Sequence, residues 1–411
     1  MSAANWSEHP VICFESDDWG CCCWAPDTAA LQRAGAIPEV REHWDRRRLW
    51  PWLDGSLETP EDVVALCDFL EGFSGGDGRP ALFTPCYIVG NPDYERIAAG
   101  GMQAYHDITI DRGVPAVWER GDFVAPAREG VARGVWRPEY HARLHHTQPH
   151  LWLASVRDGH REAAPLFDEA MFQQSSMLPE YEQMDEATQI EWVTGGFEAF
   201  ETAFGYRPWC AINMDASEVT ERIWWDLGIR ARLNRPNAEM GSPSPCTEMT
   251  YLRRNARLEP LGIDDEYAAA GFTGCWREVQ AAWGRGEPAI VSTHRKNYVS
   301  CVAEQQRQGY LQLEMLLIEI AECRPEAVFV TSAEIAQLCR HGVSALAWSG
   351  EIVCRNYTDG ERAIELPVPE GMRPAEAFDL RTGNEVGIMA VDGKPALLAP
   401  VGDFLVRLDD A

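Results

Sequence analysis

The chain has 411 residues, 45% hydrophobic and 24% charged; this exceeds what one core usually serves and suits two globular domains rather than a disordered chain. A formal net charge of -28 argues against nucleic acid or an anionic membrane as a partner, since both would be repelled. No apolar run approaches the roughly 18 residues of a membrane span, and the start Met1-Ser2-Ala3-Ala4-Asn5-Trp6 lacks a secretory signal's charged and apolar regions, so a cytoplasmic protein is the expectation.

In chain order, His9 to Glu15 reads as a buried strand that delivers Ser16-Asp17-Asp18 at its carboxyl end. Cys21-Cys22-Cys23 follows; three consecutive cysteines in a total of 13 suit no disulfide framework, and without a CxxC pair they suit no thiolate zinc cluster. They read as small buried hydrophobes. Thr59-Pro60-Glu61 opens a helix, with Thr59 as N-cap and Val63, Val64, Leu66 and Phe69 at helical spacing. Ala81 to Thr84 is a short strand, and Gly90-Asn91-Pro92-Asp93 a turn. Gly134 to Tyr140 runs as a strand into His141. Helical patterns occupy about 151–172 and 187–204, and strand candidates occur at Trp209–Ile212, Ile229–Leu233, Ala289–Ser292 and Ala327–Val330. Repeated strand–helix alternation predicts a parallel sheet, open or closed into a barrel, with ligands at the carboxyl ends of its strands. From Ala345 onward the pattern changes to short alternating segments separated by turns such as Thr358-Asp359-Gly360 and Val391-Asp392-Gly393. The chain thus divides into a β/α domain, residues 1–342, and an all-β, sandwich-like domain, residues 343–411.

Four segments carry chemistry. Asp17 and Asp18 cannot both be desolvated cheaply, because like charges oppose each other's ionisation; a metal ion on one of them relieves that conflict and leaves the other as a base. A solvated turn would use the same two residues. His141 and His145 stand at i and i+4, which on a helix places both imidazoles on one face for one metal. His146 and His150 share the spacing, with Pro149 between them. Arg207 precedes a strand candidate and suits bidentate pairing with a carboxylate as well as an ordinary surface ion pair. His294 ends a strand, where a general acid would reach the site. Ser16 and Ser292 have no G-x-S-x-G elbow, and Ser74-Gly75-Gly76-Asp77-Gly78 lacks the GK[ST] of a phosphate loop.

The order strand–Asp17-Asp18, His141-x-x-x-His145, Arg207-Pro208, strand–His294 resembles the polysaccharide deacetylase family, carbohydrate esterase family 4, over about residues 9–340. Asn91-Pro92-Asp93 and Phe329–Glu334 look like segments of a subgroup. The resemblance implies a distorted (β/α)7-type barrel and a metal-dependent hydrolase that removes an N- or O-linked acetyl group from a carbohydrate or sugar-containing precursor. It also implies a divalent cation, foremost zinc, on Asp18, His141 and His145, with Asp17 as base, Arg207 orienting it and His294 as acid. Two departures stand out: Glu15-Ser16 replaces the usual Thr-Phe, and the family's His-Thr/Ser-x-x-His fits His146-Thr147-Gln148-Pro149-His150 better than His141–His145, the earlier pair being preferred because it directly follows the Gly134–Tyr140 strand candidate. A hydrolase of the same fold acting on a non-acetyl C–N or glycosidic bond, and a carbohydrate-binding or assembly protein with a degenerate site, are the alternatives.

Overall fold

The structure is a computed structural model that describes residues 4–22, 24–172, 179–261 and 270–411. Met1 to Ala3 and Cys23 lie outside the described residues. The first eleven strands are β1 (Val11–Trp19), β2 (Phe83–Ile88), β3 (Gly90–Pro92), β4 (Asp107–Thr109), β5 (Glu139–Ala142), β6 (Cys210–Ala211), β7 (Ala231–Arg232), β8 (Thr250–Tyr251), β9 (Ala256–Arg257), β10 (Ala289–His294) and β11 (Val328–Phe329). Nine of them form one parallel sheet in the order β8-β7-β6-β5-β2-β1-β10-β9, with β11 also on β1. Helices connect most of its successive strands, with none between β7, β8 and β9, and the sheet is an incomplete, distorted β/α barrel.

Local sequence explains the main elements. β1 is buried along its whole length, as a central parallel strand must be. The Thr59 signal forms a helix over Pro60–Glu71: the Thr59 hydroxyl accepts from Asp62 N–H and the Asp62 carboxylate accepts from Thr59 N–H, a capping box. Val63 and Leu66 face the core, whereas Val64 points outward. The second long helical pattern forms Glu186–Phe204, capped by Asp185 and ended by Gly205 at a φ of 79°. Gly90-Asn91-Pro92, expected as a turn, is instead a short strand paired antiparallel with β4.

After Gly342 the chain forms β12 (Val343–Trp348), β13 (Glu351–Asn356), β14 (Arg362–Glu365), β15 (Met372–Asp379), β16 (Ile388–Val391), β17 (Lys394–Ala399) and β18 (Gly402–Asp410). One antiparallel sheet runs β12-β13-β18-β15 and a second β14-β17-β16. Ile352, Cys354, Ile364, Leu397, Phe404 and Val406 pack in one apolar cluster drawing on both sheets. Residues of alternate parity on β13 serve the other face. Val353 joins a core shared with Val11, Ile290 and Val328 of the barrel, and Arg355 binds Asp77 and Glu334 outside the module and Asp403 within it, at 2.7–2.9 Å. The module is therefore anchored to the barrel by apolar packing and by a buried ion cluster. Among the described residues no disulfide is present, most cysteines are buried, and no helix is long and apolar enough to cross a membrane.

Candidate metal centre and active site

The carboxyl end of β1 carries the acidic pair. Strict alternation would send Asp17 and Asp18 to opposite faces. Asp18 instead has a φ of 73°, and the β1–β2 register shifts between Ser16 and Trp19; this irregularity brings both carboxylates to one place. The turn that follows requires Gly20: its φ is 75°, and a Cβ there would lie 2.6 Å from the Ile88 carbonyl oxygen. Glu58 accepts the Gly20 N–H, while the Asn91 side chain donates to the Gly20 carbonyl and accepts from Cys22 N–H. Arg295 ties Glu58 to the Cys21 carbonyl, so the exits of β1 and β10 are cross-braced.

His141 lies one residue before the end of β5, and His145 lies in the turn after it. The pair meets through a strand end and a tight turn, not along a helix face. His141 Nε2 and His145 Nε2 stand 3.7 and 3.4 Å from Asp18 Oδ1, and one ligand atom from each residue falls within 4.8 Å of the others. Bonds of about 2.0–2.2 Å in a tetrahedron separate ligand atoms by roughly 3.3–3.6 Å, close to what is seen. Asp18 Oδ1 is buried and receives no hydrogen bond among the described residues, which suits a ligand atom better than a structural carboxylate. Burial lowers the His141 pKa, Asp17 and Asp18 opposing it, and a neutral imidazole is the form that ligates. These residues fit a divalent cation. Of the alternative register, His150 is exposed on a helix and His146 turns to Asp215.

Glu180, which no sequence motif marked, holds this loop. One carboxylate oxygen accepts the N–H groups of Arg143 and Leu144 and the Trp192 indole N–H; the other accepts from Asn213. Burial pushes its pKa up to about 7, against these hydrogen bonds.

The arginine on Asp17 is Arg254, not Arg207. Arg254 lies in the link between β8 and β9, the two margins of the sheet, and reaches inward from that gap. Its Nη1 and Nη2 each donate to a different oxygen of Asp17 at 2.6 Å, and its Nε donates to Glu15 at 2.7 Å. Arg207 is 56% exposed and pairs with Glu201 on the surface at 2.8 Å, so its expected orienting role is corrected. Burial alone would raise the Asp17 pKa, but Arg254 outweighs it and holds the carboxyl well below the usual carboxylate range. Glu15 also accepts from Ser332, which explains an acid where the resemblance leads one to expect Thr. The signal that could have found Arg254 is charge balance: two carboxylates on one face of a buried strand require a cation.

On the other flank, His294 Nδ1 bonds Glu259 Oε1 at 2.6 Å and its Nε2 lies 3.9 Å from Asp17 Oδ2. Asn297 donates to the second oxygen of Glu259. Burial lowers the His294 pKa, but Glu259 more than compensates and pushes it up to about 9. Trp52 meets the His294 ring edge-on at 5.1 Å. The structure thus brings together Asp17, Asp18, His141, His145 and His294, and leaves Arg207 outside.

No protein-family model matches the sequence, and no curated protein matches it. Among solved structures, the chain is similar to a protein assigned as a polysaccharide deacetylase from Mycobacterium smegmatis (12% identity, TM-score 0.40, covering 83% of this chain and 94% of that one). It is similar to Puue allantoinase (12% identity, TM-score 0.33, 80% and 89% covered) and to Thermotoga maritima alpha-fucosidase (10% identity, TM-score 0.35, 98% and 97% covered). At these scores and identities the functional reading rests on the geometry of the site itself.

Proposed function

We propose that this chain is a metal-dependent hydrolase that removes an N- or O-linked acetyl group from a carbohydrate or sugar-containing precursor. One observation carries the reading: a three-residue metal-ligand set, an arginine-clamped carboxylate and a carboxylate-paired histidine converge at the carboxyl ends of β1, β5 and β10. In parallel β/α folds that end is where ligands bind.

Asp18, His141 and His145 would hold the ion, and their carboxylate and imidazole donors suit zinc. A bound divalent ion supplies Lewis-acid polarisation of an acyl oxygen and acidifies water. Asp17 does not compete for the ion, because Arg254 engages both of its oxygens; each keeps a second lone pair. It stays ionised and accepts the proton of an attacking water at Oδ1 or Oδ2. His294 presents Nε2 to the same space because Nδ1 is taken by Glu259. Its raised pKa keeps Nε2–H available to protonate the leaving nitrogen or oxygen. An amide needs that proton, since an amine anion does not leave.

The test is acetate release from N-acetylglucosamine oligosaccharides and O-acetylated sugars by zinc-loaded protein, with Asp17→Asn alongside. Release by the wild type and a loss of at least about a hundredfold in the variant support the reading. Equal rates in the two proteins would overturn it. Turnover of formamides or cyclic imides without acetate release would favour the non-acetyl alternative.

A further inference from the structure

A third histidine stands at this centre without belonging to the ligand set or to the acid–base pair. His146 follows His145 directly, and the two rings lie 4.1 Å apart between centroids. Its backbone φ is 43°, a left-handed conformation that a histidine adopts at a cost. Its ring meets Asp215, whose Oδ2 lies 2.8 Å from His146 Nδ1. Asp215 is itself positioned: its N–H donates to the Asn213 side chain, and Asn213 donates to the buried Glu180. One carboxylate therefore fixes both the loop that bears His145 and His146 and the residue that orients His146.

The consequence is an imidazole held at one nitrogen and open at the other. Among the described residues Nε2 of His146 has no hydrogen-bond partner, and the side chain is 17% exposed. The placement is also two-sided. β5 and β10 lie on opposite sides of the β2–β1 pair, so His146–Asp215 and His294–Glu259 flank the Asp17–Asp18 centre from opposite directions.

We propose that His146, oriented by Asp215, is a substrate-contacting residue that hydrogen-bonds through Nε2 to a hydroxyl of the substrate, on the side of the reacting carbon away from His294. A hydroxyl both donates and accepts, so it satisfies Nε2 whether or not that nitrogen carries a proton. The assignment rests on the hydrolase reading above and deepens it: the substrate carries a hydroxyl close to its acyl group and is not a simple acyl ester.

The experiment compares zinc-loaded wild type with His146→Phe, which keeps the ring packed on His145 but removes both nitrogens, and with His146→Gln, which restores a polar terminus. Two probes are used: the N-acetylglucosamine trisaccharide, rich in hydroxyls, and 4-nitrophenyl acetate, which has none. Acetate release is followed for each, trisaccharide binding is measured by calorimetry, and bound zinc by elemental analysis. Expected is a loss in kcat/KM for His146→Phe at least tenfold greater on the trisaccharide than on 4-nitrophenyl acetate, mostly in KM, with partial recovery in His146→Gln and undiminished zinc. Equal losses on both probes, or loss of zinc, would overturn the proposal and make His146 a support for His145. If the wild type hydrolyses neither probe, the deacetylase reading fails on its own; weaker trisaccharide binding by His146→Phe would still uphold the contact, and absence of trisaccharide binding by the wild type would refute it.

Discussion

Replacing Arg254 with Met keeps most of the apolar stem but deletes three short charge-assisted hydrogen bonds, one to Glu15 and two to Asp17, at 2.6–2.7 Å. Leaving a buried charge without its partner costs about 3–5 kcal/mol. Asp17 has one escape, which is to take a proton. From an ordinary value of about 3.9, protonation costs about 4 kcal/mol at pH 7 and about 1.5 kcal/mol at pH 5, and that caps its penalty. The sign follows from the direction of each shift. In the wild type the Asp17 pKa is depressed, so its stabilisation is present above the unfolded value and is lost as pH falls through the folded one. In the variant the folded value lies above the unfolded one, so destabilisation grows as pH rises. The wild-type advantage is therefore about 3–4 kcal/mol at pH 7 and about 1 kcal/mol at pH 5. Urea unfolding at the two pH values, with metal chelated in both proteins, measures it. Arg207→Ala is the control: its ion pair is exposed on both sides, and its effect stays within about 0.5 kcal/mol. A gap under about 1 kcal/mol at pH 7, or an equal gap at both pH values, refutes the assignment of Arg254.

Three further outcomes are expected. Asp18→Asn, His141→Ala and His145→Ala each weaken divalent-cation binding by more than the roughly 10–100-fold that loss of an outer-sphere partner causes; a calorimetric zinc titration that matches the wild type would remove that residue from the ligand set. Glu259→Gln lowers the His294 pKa from about 9; the acid form is present below that value, so the alkaline limb of the rate profile moves to lower pH by about one unit or more, and a limb that stays in place argues against His294 as the acid. Gly20→Ala forces a Cβ to 2.6 Å from the Ile88 oxygen at a left-handed φ and costs about 2–4 kcal/mol; denaturation within about 0.5 kcal/mol of the wild type shows that the β1 exit can relax.

Much of the fold was legible because its signals are local. The apolar run before Asp17, the Thr59 N-cap with its helical spacing and the alternation after Ala345 are short-range patterns, and each became the expected element. Arg254 was not legible, since it sits between two-residue strands with no periodicity of their own, and Arg207-Pro208 offered a more conspicuous motif. Glu180 was hidden for the same reason: it is a buried acid in an irregular segment, identified by what it holds.

By itself the sequence determined which residues to look for around one β1 exit: Asp17 and Asp18 at a strand end, two histidines four apart, and a histidine closing a later strand. Residue type and spacing suffice for that, because each signal lies within a few residues. The tertiary structure decided the pairings. A left-handed Asp18 turned both carboxylates to one side, a strand end and a turn brought His141 and His145 together, Arg254 crossed the open margin of the sheet to Asp17, and Glu259 took one nitrogen of His294. These contacts join residues up to 237 positions apart, and buried charges find their partners across the fold, where no local pattern records them.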